Sequence, residues 1–387
     1  MRKRLRIYIV MDTNAHYTRA IFRGVNEYFS EHPEEFDLTF VVSEKLMDRQ
    51  RPPKGIIAIA SGKRAIKTIL SFGVPAVNVS SALEFTGLPT VVGNHKLGAE
   101  MVADHFLENK LRHFSFYGRE GIHSYNIQCR YFTQTVEKAG FQCQPYFHFL
   151  KNSRDELNAS QQRTLRQWIL NLSKPVGLFC GSDRDAWEAR NAAEILDLEI
   201  GREIAIVGYG NDEMYCLSRS PRLSSLEARA DCIGYEAAAL LAKLIHGKKA
   251  PVKPILISPS GVVQRASSDV LSTSDPHVTM AIQFIREHLD ASLHIQEVFD
   301  HVPLSRRTLE RRFHESLDRT VMETIHLLKL DRIKHLLVTT SMSIEEVSYA
   351  CGFSSSAYMT AFFRDKLGTV PSEYRNRFQG SKPFSAS

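Results

Sequence analysis

Val298-Phe299-Asp300-His301-Val302-Pro303-Leu304-Ser305 is matched further along by Val347-Ser348-Tyr349-Ala350-Cys351-Gly352-Phe353-Ser354. The offset is 49 residues, and it becomes 50 where Leu309, Phe313 and Leu317 pair with Met359, Phe363 and Leu367. Each copy reads as a short apolar helix, a turn (Val302-Pro303-Leu304 or Cys351-Gly352-Phe353) and a second helix opened by an N-capping serine, Ser305 or Ser354. That is a helix-turn-helix unit, whose second helix is the one that enters a groove. Two of them, joined by a helix predicted over 320–337, reach successive major grooves about 34 Å apart on one face of a duplex. Double-stranded DNA is therefore the first partner the chain implies.

Helical geometry sorts the side chains of each reader. Leu309 and Phe313 lie four apart and face a core, which turns Arg306, Arg307, Glu310, Arg311 and His314 outward. A bidentate arginine–guanine pair contributes about 1–3 kcal/mol of discrimination. Glu310 either accepts from cytosine or holds an arginine in place. Arg312, beside Phe313, is expected at a phosphate or in an ion pair. The second reader turns out Ser355, Ser356, Ala357, Thr360 and Ala361, with Arg364 and Lys366 only near its end. Small side chains touch thymine methyls or admit water, and they discriminate weakly. The first unit is expected to carry sequence specificity and the second to position the protein through phosphates.

Composition sets the frame around these units. A chain of 387 residues with 43% hydrophobic and 24% charged residues builds two or three folded domains. Its net charge of +6 is no evidence for DNA binding, because residues 275–387 hold 14 Lys/Arg against 14 Asp/Glu. What matters is the local crowding of Arg306, Arg307, Arg311 and Arg312. Met1-Arg2-Lys3-Arg4 resembles the start of a signal peptide, but the apolar run behind it contains Arg6 and stops at Asp12, which suits a buried first strand. No run is long enough for a membrane span. The six cysteines are scattered without a Cys-x-x-Cys pair, so neither a disulfide framework nor a metal site is indicated, no cofactor is implied, and a cytoplasmic location is expected.

The first 265 residues alternate β-rich runs with amphipathic helical stretches, the pattern of an α/β fold with parallel sheets. Strands are predicted near 5–11, 36–42, 55–60, 75–79, 113–118, 144–149, 176–180, 204–208 and 252–257. Helices are predicted near 15–31, 62–72, 95–110, 127–139, 160–171, 184–197 and 231–246. That many strands exceed one doubly wound unit, so two lobes with a cleft are expected, with ligands at the strand C-terminal ends. Residues 266–276, Ser/Thr/Asp-rich and ending in a helix-opening Pro276, break the alternation. The expected division is 1–269 for a ligand-sensing domain, 270–276 for a linker and 277–380 for an all-α DNA-binding domain, its units near 295–315 and 344–365.

The C-terminal hundred residues resemble the AraC/XylS family of transcription regulators in three features: the doubled helix-turn-helix, Lys329-Leu330-x-x-Ile333-x-x-Leu336-Leu337, and Gly368-x-x-Pro371-x-x-Tyr374-Arg375. Lys329 stands where the family more often has arginine, and Ala361 where members often carry a base-contacting arginine. Residues 5 to about 269 resemble the periplasmic-binding-protein-like sugar domain of LacI-type repressors. That likeness rests on Phe179-Cys180-Gly181-Ser182-Asp183, Val207-Gly208-Tyr209 with its polar loop, and Arg265-Ala266-Ser267-Ser268-Asp269. By this resemblance Tyr17 and Arg19 sit in the first loop of the cleft, Arg130 bridges sugar hydroxyls, Asp183 accepts from them, and Asn211 lies in the loop after 204–208. Arg130 as a surface ion pair and Asp183 as a helix cap are the plainer alternatives, and Trp187 reads as core. Gly210 occupies the place of a hydroxyl-accepting aspartate, which implies a ligand larger than a pentose or one bringing negative charge toward Arg130, with weak binding of D-xylose.

Together these readings imply a ligand-responsive transcription regulator, a homodimer paired through its sensor half. It would answer to a sugar or sugar derivative, and would contact RNA polymerase if it activates. Two other readings stay open. One is a sensor that has lost its ligand and only dimerises. The other is an amidotransferase-like enzyme using Cys180, against which stands the lack of a Gly-x-Cys-x-Gly elbow and a positioned histidine.

Overall fold

The computed structural model describes residues 4–12, 15–149, 156–269, 271, 273, 275–290 and 293–378. The N-terminal lobe comprises β1 (Leu5–Val10), α1 (His16–Ser30), β2 (Phe36–Val41), β3 (Gly55–Ala58), α2 (Lys63–Leu70) and β4 (Ala76–Asn78). Its parallel sheet runs β2-β1-β3-β4. A short strand β5 (Val91–Gly93) leads into α3 (His95–Glu108) and the second lobe. There follow β6 (His113–Arg119), α4 (His123–Lys138), β7 (Cys143–His148), α5 (Ala159–Asn171), β8 (Val176–Cys180) and α6 (Asp183–Ile195). The lobe continues with β9 (Ile204–Tyr209), the one-turn α7 (Glu213–Cys216) and β10 (Ser224–Glu227). Helix α8 (Ala230–Ile245) returns to the first lobe, β11 (Ile255–Ile257) pairs with β5, and β12 (Gly261–Val263) closes the second sheet in the order β12-β10-β9-β8-β6-β7.

Both sheets are covered on both faces, as parallel sheets must be. Alternation decides which residue goes where: in β1, Ile7 and Ile9 face α1 and α8 while Tyr8 and Val10 face the α2 side. In β8, Phe179 packs with Phe106 and Phe132, whereas Leu178 and Cys180 join Leu165 and Ile169. The predicted elements are all present with ends shifted by a few residues. Three short strands, β5, β10 and β12, went unread.

The α-helical half contains α9 (Pro276–Glu287), α10 (Ile295–His301), α11 (Arg306–Leu317), α12 (Val321–Thr339), α13 (Ile344–Ala350), α14 (Ser356–Leu367) and α15 (Pro371–Phe378). One core gathers Leu309 and Phe313 with α9 and α10, and a second gathers Met359 and Phe363 with Val347 and Cys351. Ser305 caps α11 by accepting from the Thr308 amide, but α14 is capped by Ser355, not Ser354. The register change in the repeat therefore falls in the turn, before the cap. Both readers end in the left-handed conformation, at Asp318 and Gly368, again 50 residues apart.

The expected linker begins later than the composition shift at 266. Residues 266–268 form a 3-10 turn buried in the sensor, where the Ser267 hydroxyl donates to the Ile206 carbonyl (2.6 Å). Val270, Ser272 and Ser274 lie outside the described residues, as do Met1 to Lys3 and residues 379–380 of the predicted boundaries. Asp269 accepts from Arg286 at 2.7 Å, and Asp275 caps α9.

The two halves touch along α3, β12 and α12. Val338 and Phe378 join the sensor core that holds Met101 and Phe106. Lys334 is ion-paired with Glu108, both side chains 16% exposed, and the Glu108 carbonyl accepts from Arg319 at 3.3 Å. Beside them lies a partly open cavity of about 570 Å³, lined among others by His105, Glu108, Val262, Lys334 and Tyr374.

Two glycines let α1 and α8 cross in contact. A Cβ on Gly24 would lie 1.8 Å from the Asp231 carbonyl oxygen, and one on Gly234 1.9 Å from that of Ile21. Gly234→Ala is therefore expected to destabilise the sensor by about 1–3 kcal/mol through forced separation of the helices. Urea unfolding followed by circular dichroism measures this, and an unchanged midpoint would contradict the close crossing.

Candidate DNA interface and effector cleft

Helix α11 presents its outward residues in two distinct states. Arg307 is exposed and has no partner among the described residues, as a group awaiting an external acceptor would. The others are already engaged. The Arg306 guanidinium lies 5.0 Å over the Phe299 ring, and Arg311 donates to both carboxylate oxygens of Glu315 (2.7 and 2.9 Å). Glu310 accepts from the Val321 amide at 3.5 Å, at the start of α12. Arg312 forms the ion pair that was one of its two expected roles, 2.8 Å from Asp275, and so ties the first reader to the start of α9.

Helix α14 offers Ala357, Ala361 and Arg364 to solvent, with Ser356 and Thr360 half-buried. Ser355 is spent on the cap, its hydroxyl accepting from the Tyr358 amide. Tyr358 itself is 62% exposed at the reader's start and was missed, because an aromatic residue next to the core Met359 reads as core. Lys329 braces this unit, donating to the Gly352 carbonyl (3.4 Å) and lying 5.0 Å over Phe353.

In the sensor, the lobes meet at the ends of β4, β9 and α3. Two backbone hydrogen bonds cross the junction, from the His123 amide to Ala82 (3.0 Å) and from the Ser124 amide to Ser81 (3.1 Å). His95, the first residue of α3, sits between them: its Nε2 is 2.7 Å from Ser81 Oγ, its Nδ1 3.5 Å from Gln128 Nε2, and its ring 5.3 Å from Tyr209. Burial, helped by His123, lowers the His95 pKa to about 4, so the ring is neutral near pH 7 and offers one donor and one acceptor. Gln128 Oε1 and the Tyr209 hydroxyl are buried with no hydrogen-bond partner among the described residues. Such atoms cost on the order of 1–3 kcal/mol when left unpaired, which marks a place for a ligand or water.

Only one of the five residues carried over for ligand contact lies at this junction. Tyr17 donates to the Val79 carbonyl (3.0 Å), and burial raises its pKa. Arg19 is on the exposed side of α1. Arg130 is a correction: it is exposed on α4, its guanidinium 5.0 Å over the Tyr131 ring, because two residues along a helix from Gln128 a side chain points to the other face. Asp183 is buried and occupied. Its carboxylate takes the Ser225 hydroxyl and the Asp212 amide (2.7 Å), and burial raises its pKa to about 7; the cap of α6 is Ser182, not Asp183. Asn211 is locked as well, donating to Glu227 (2.8 Å) and accepting from Arg265 (2.7 Å). Trp187, expected in the core, is exposed on α6.

Gly210 takes φ +123°, a conformation that L side chains rarely adopt, and a Cβ there would sit 3.3 Å from Asp183 Oδ2. Its missing carboxylate thus reflects backbone geometry, and with Arg130 turned away the inference of a negatively charged ligand loses its support. The sequence reading missed His95, Gln128 and Tyr209. Tyr209 was within reach, as the last residue of a strand whose C-terminal end was marked for ligands.

A buried cluster lies at the ends of β6 and β7. Asp185 accepts from Arg119 Nε (3.0 Å), Tyr125 (2.7 Å) and Ser182 (2.6 Å), while Tyr117 donates to Glu188 (3.1 Å). His148, Asp185 and Glu188 bring ligating atoms within 4.8 Å of one another, yet both oxygens of Asp185 are taken and the Arg119 guanidinium already supplies the positive charge. Cys180 is fully buried on β8 and burial pushes its thiol well above the usual range, the opposite of an activated nucleophile.

Similarities to known proteins agree with this geometry. A periplasmic binding protein-like domain family matches residues 103–268, and a helix-turn-helix domain family matches 299–377. The xylose operon regulatory protein of Escherichia coli K12 is 29% identical over 387 residues, covering 97% of each chain. Its namesake in Haemophilus influenzae is 29% identical over 381 residues, covering 96% of this chain and 98% of its own. A solved xylose-binding transcription activator, XylR, superposes with a TM-score of 0.64 at 27% identity, over 98% of this chain and all of that one. A ribose-bound LacI family regulator from Enterococcus faecium shares the sensor fold, with a TM-score of 0.55 at 16% identity over 68% of this chain and 98% of its own. No helix among the described residues is long and apolar enough to cross a membrane. The chain is a DNA-binding transcription regulator and not an enzyme: an AraC-type helix-turn-helix protein with a periplasmic-binding-protein-like sensor, homologous along its length to the xylose operon regulators.

Proposed function

We propose that this regulator is switched by a neutral sugar held between the sensor lobes, and that it thereby controls genes of carbohydrate uptake or catabolism. The observation that carries the reading is the pair of buried, unpartnered polar atoms, Gln128 Oε1 and the Tyr209 hydroxyl, flanking neutral His95. A sugar hydroxyl both donates and accepts, which suits a lining of uncharged side chains that do the same. Tyr17 and Ser81 complete the lining from the other lobe. The names of the full-length relatives supply D-xylose as the first probe. Residues 1–269 serve as the sensor, 270–276 as the linker and 277–380 as the DNA-binding part, in a cytoplasmic homodimer paired through the sensors. As an activator it would also touch RNA polymerase.

On DNA, Arg307 is the principal base-reading residue of α11, with Arg306, Glu310 and Arg311 beside it. Ser355, Ser356, Ala357, Thr360 and Arg364 line the second groove. Arg307→Ala is expected to weaken binding to a selected operator about 10- to 100-fold, the equivalent of about 1–3 kcal/mol, and to relax preference at one base position. Selection from random duplexes by each protein tests this, and an unchanged motif removes Arg307 from the interface.

Isothermal titration with D-xylose, other neutral aldoses and the matching sugar acids tests the sensor. A neutral aldose should bind, its sugar acid should not, and Gln128→Leu should weaken the aldose on the order of 10-fold or more by removing a buried partner. Binding of the acids alone would reverse the charge argument. Absence of binding by any of them would leave the sensor as a dimerisation module.

A further inference from the structure

Helix α3 has one end at the lobe junction and the other against the DNA-binding half. Its 14 residues at 1.5 Å each make a rod of about 20 Å. His95 opens it, bonded to Ser81 of the first lobe and close to Gln128 of the second. Ala99, Val102, Ala103 and Phe106 are fully buried along it, so it moves as a packed body rather than bending locally. At the far end His105 Nε2 is 2.9 Å from Ser268 Oγ at the close of the sensor, and Glu108 holds Lys334 of α12.

We propose that α3 transmits occupancy of the cleft to the DNA-binding half, with the Glu108–Lys334 pair as the latch that sets the orientation of the two readers. The inference rests on the reading of the cleft as the effector site and names how that site is heard.

Three observations support it. Lys334 has a second partner on its own helix, Asp331 at 3.2 Å, so withdrawal of Glu108 leaves the ammonium paired. The joint can therefore take a second arrangement without stranding a charge on Lys334, as transmission requires. Burial pushes the Glu108 carboxyl up, partly offset by Lys334; burial also works against the Lys334 ammonium, but Glu108 and Asp331 outweigh it. A buried pair of this kind is costly to break from one side only, which makes docking sharply defined. Finally, Arg307, Ala357, Ala361 and Arg364 are exposed while the latch is closed. The latch therefore does not mask the readers. It fixes how they sit relative to the sensor, and so whether both meet successive grooves.

Coupling is reciprocal, so DNA must be felt in the cleft as an effector is felt at DNA. Hydrogen exchange of the full-length protein, with and without an operator selected by the unmodified protein, should show a DNA-dependent change at residues 93–97. Lys334→Met and Glu108→Gln should each lose that change while binding DNA, and the swap Glu108→Lys with Lys334→Glu should restore it. With D-xylose as probe, an effect on operator affinity on the order of 10-fold in the unmodified protein should fall to within twofold in the single variants, at unchanged D-xylose affinity. DNA-dependent exchange at 93–97 that is absent from the unmodified protein, or retained in both single variants, overturns the latch. Failure of D-xylose to bind overturns its choice as effector, and the DNA arm still decides the latch.

Discussion

Helix α12 has no face to spare. Ile325, Leu327 and Leu328 complete the core of the first helix-turn-helix, Leu330, Ile333 and Leu337 that of the second, and Val338 enters the core of the sensor. Between these apolar commitments, Lys329 braces the second turn and Lys334 reaches the sensor. A helix shared by three cores cannot rotate without unpacking at least one of them, because close-packed interiors tolerate little displacement. The placement of the two readers relative to each other follows from this one element, while its contacts to the sensor are few, Val338 and the Lys334 ion pair chief among them.

The two readers differ in the chemistry of their outward faces. Helix α11 carries four arginines: Arg306 lies over the Phe299 ring, Arg311 pairs with Glu315 of the same helix, Arg312 pairs with Asp275, and Arg307 stands exposed. Helix α14 opens with serine, alanine and an exposed tyrosine, which offers shape more than charge. In a module whose total charge is balanced, positive charge gathers on α11 and acidic residues stand at helix starts, among them Glu297, Glu323 and Glu346, where they favour the helix dipole.

Much of this organisation was legible in the sequence, for reasons that differ by element. Long amphipathic helices and fully buried strands such as β3 and β8 declare themselves by periodicity and composition. The double helix-turn-helix declared itself by repetition, although Ser354 and Ser355 are indistinguishable as caps until the turn is built. The cleft was least legible. Which residues of α4 face inward depends on the angle at which the helix lies on the sheet, and this separates Gln128 from Arg130. The partners of Asp183 and Asn211, among them Ser225, Glu227 and Arg265, come from distant segments, and only the closed fold shows that their hydrogen-bonding capacity is committed within the protein.

The ion pairs and stacks of α11 bear on the thermodynamics of recognition. Arginine is among the side chains that lose most rotamer freedom when fixed; Arg312, about two-thirds buried against Asp275, gives it up on folding, whereas Arg306, Arg307 and Arg311 are exposed and keep it. Alanine and serine on α14 have little of it to lose. The two surfaces therefore start from unequal conformational freedom, and the ordering that any partner imposes falls mainly on α11. If both helices face DNA as proposed, α11 meets it with adaptable side chains and α14 with a fixed shape, and at positions neither touches the ease with which the duplex itself deforms would decide between sites.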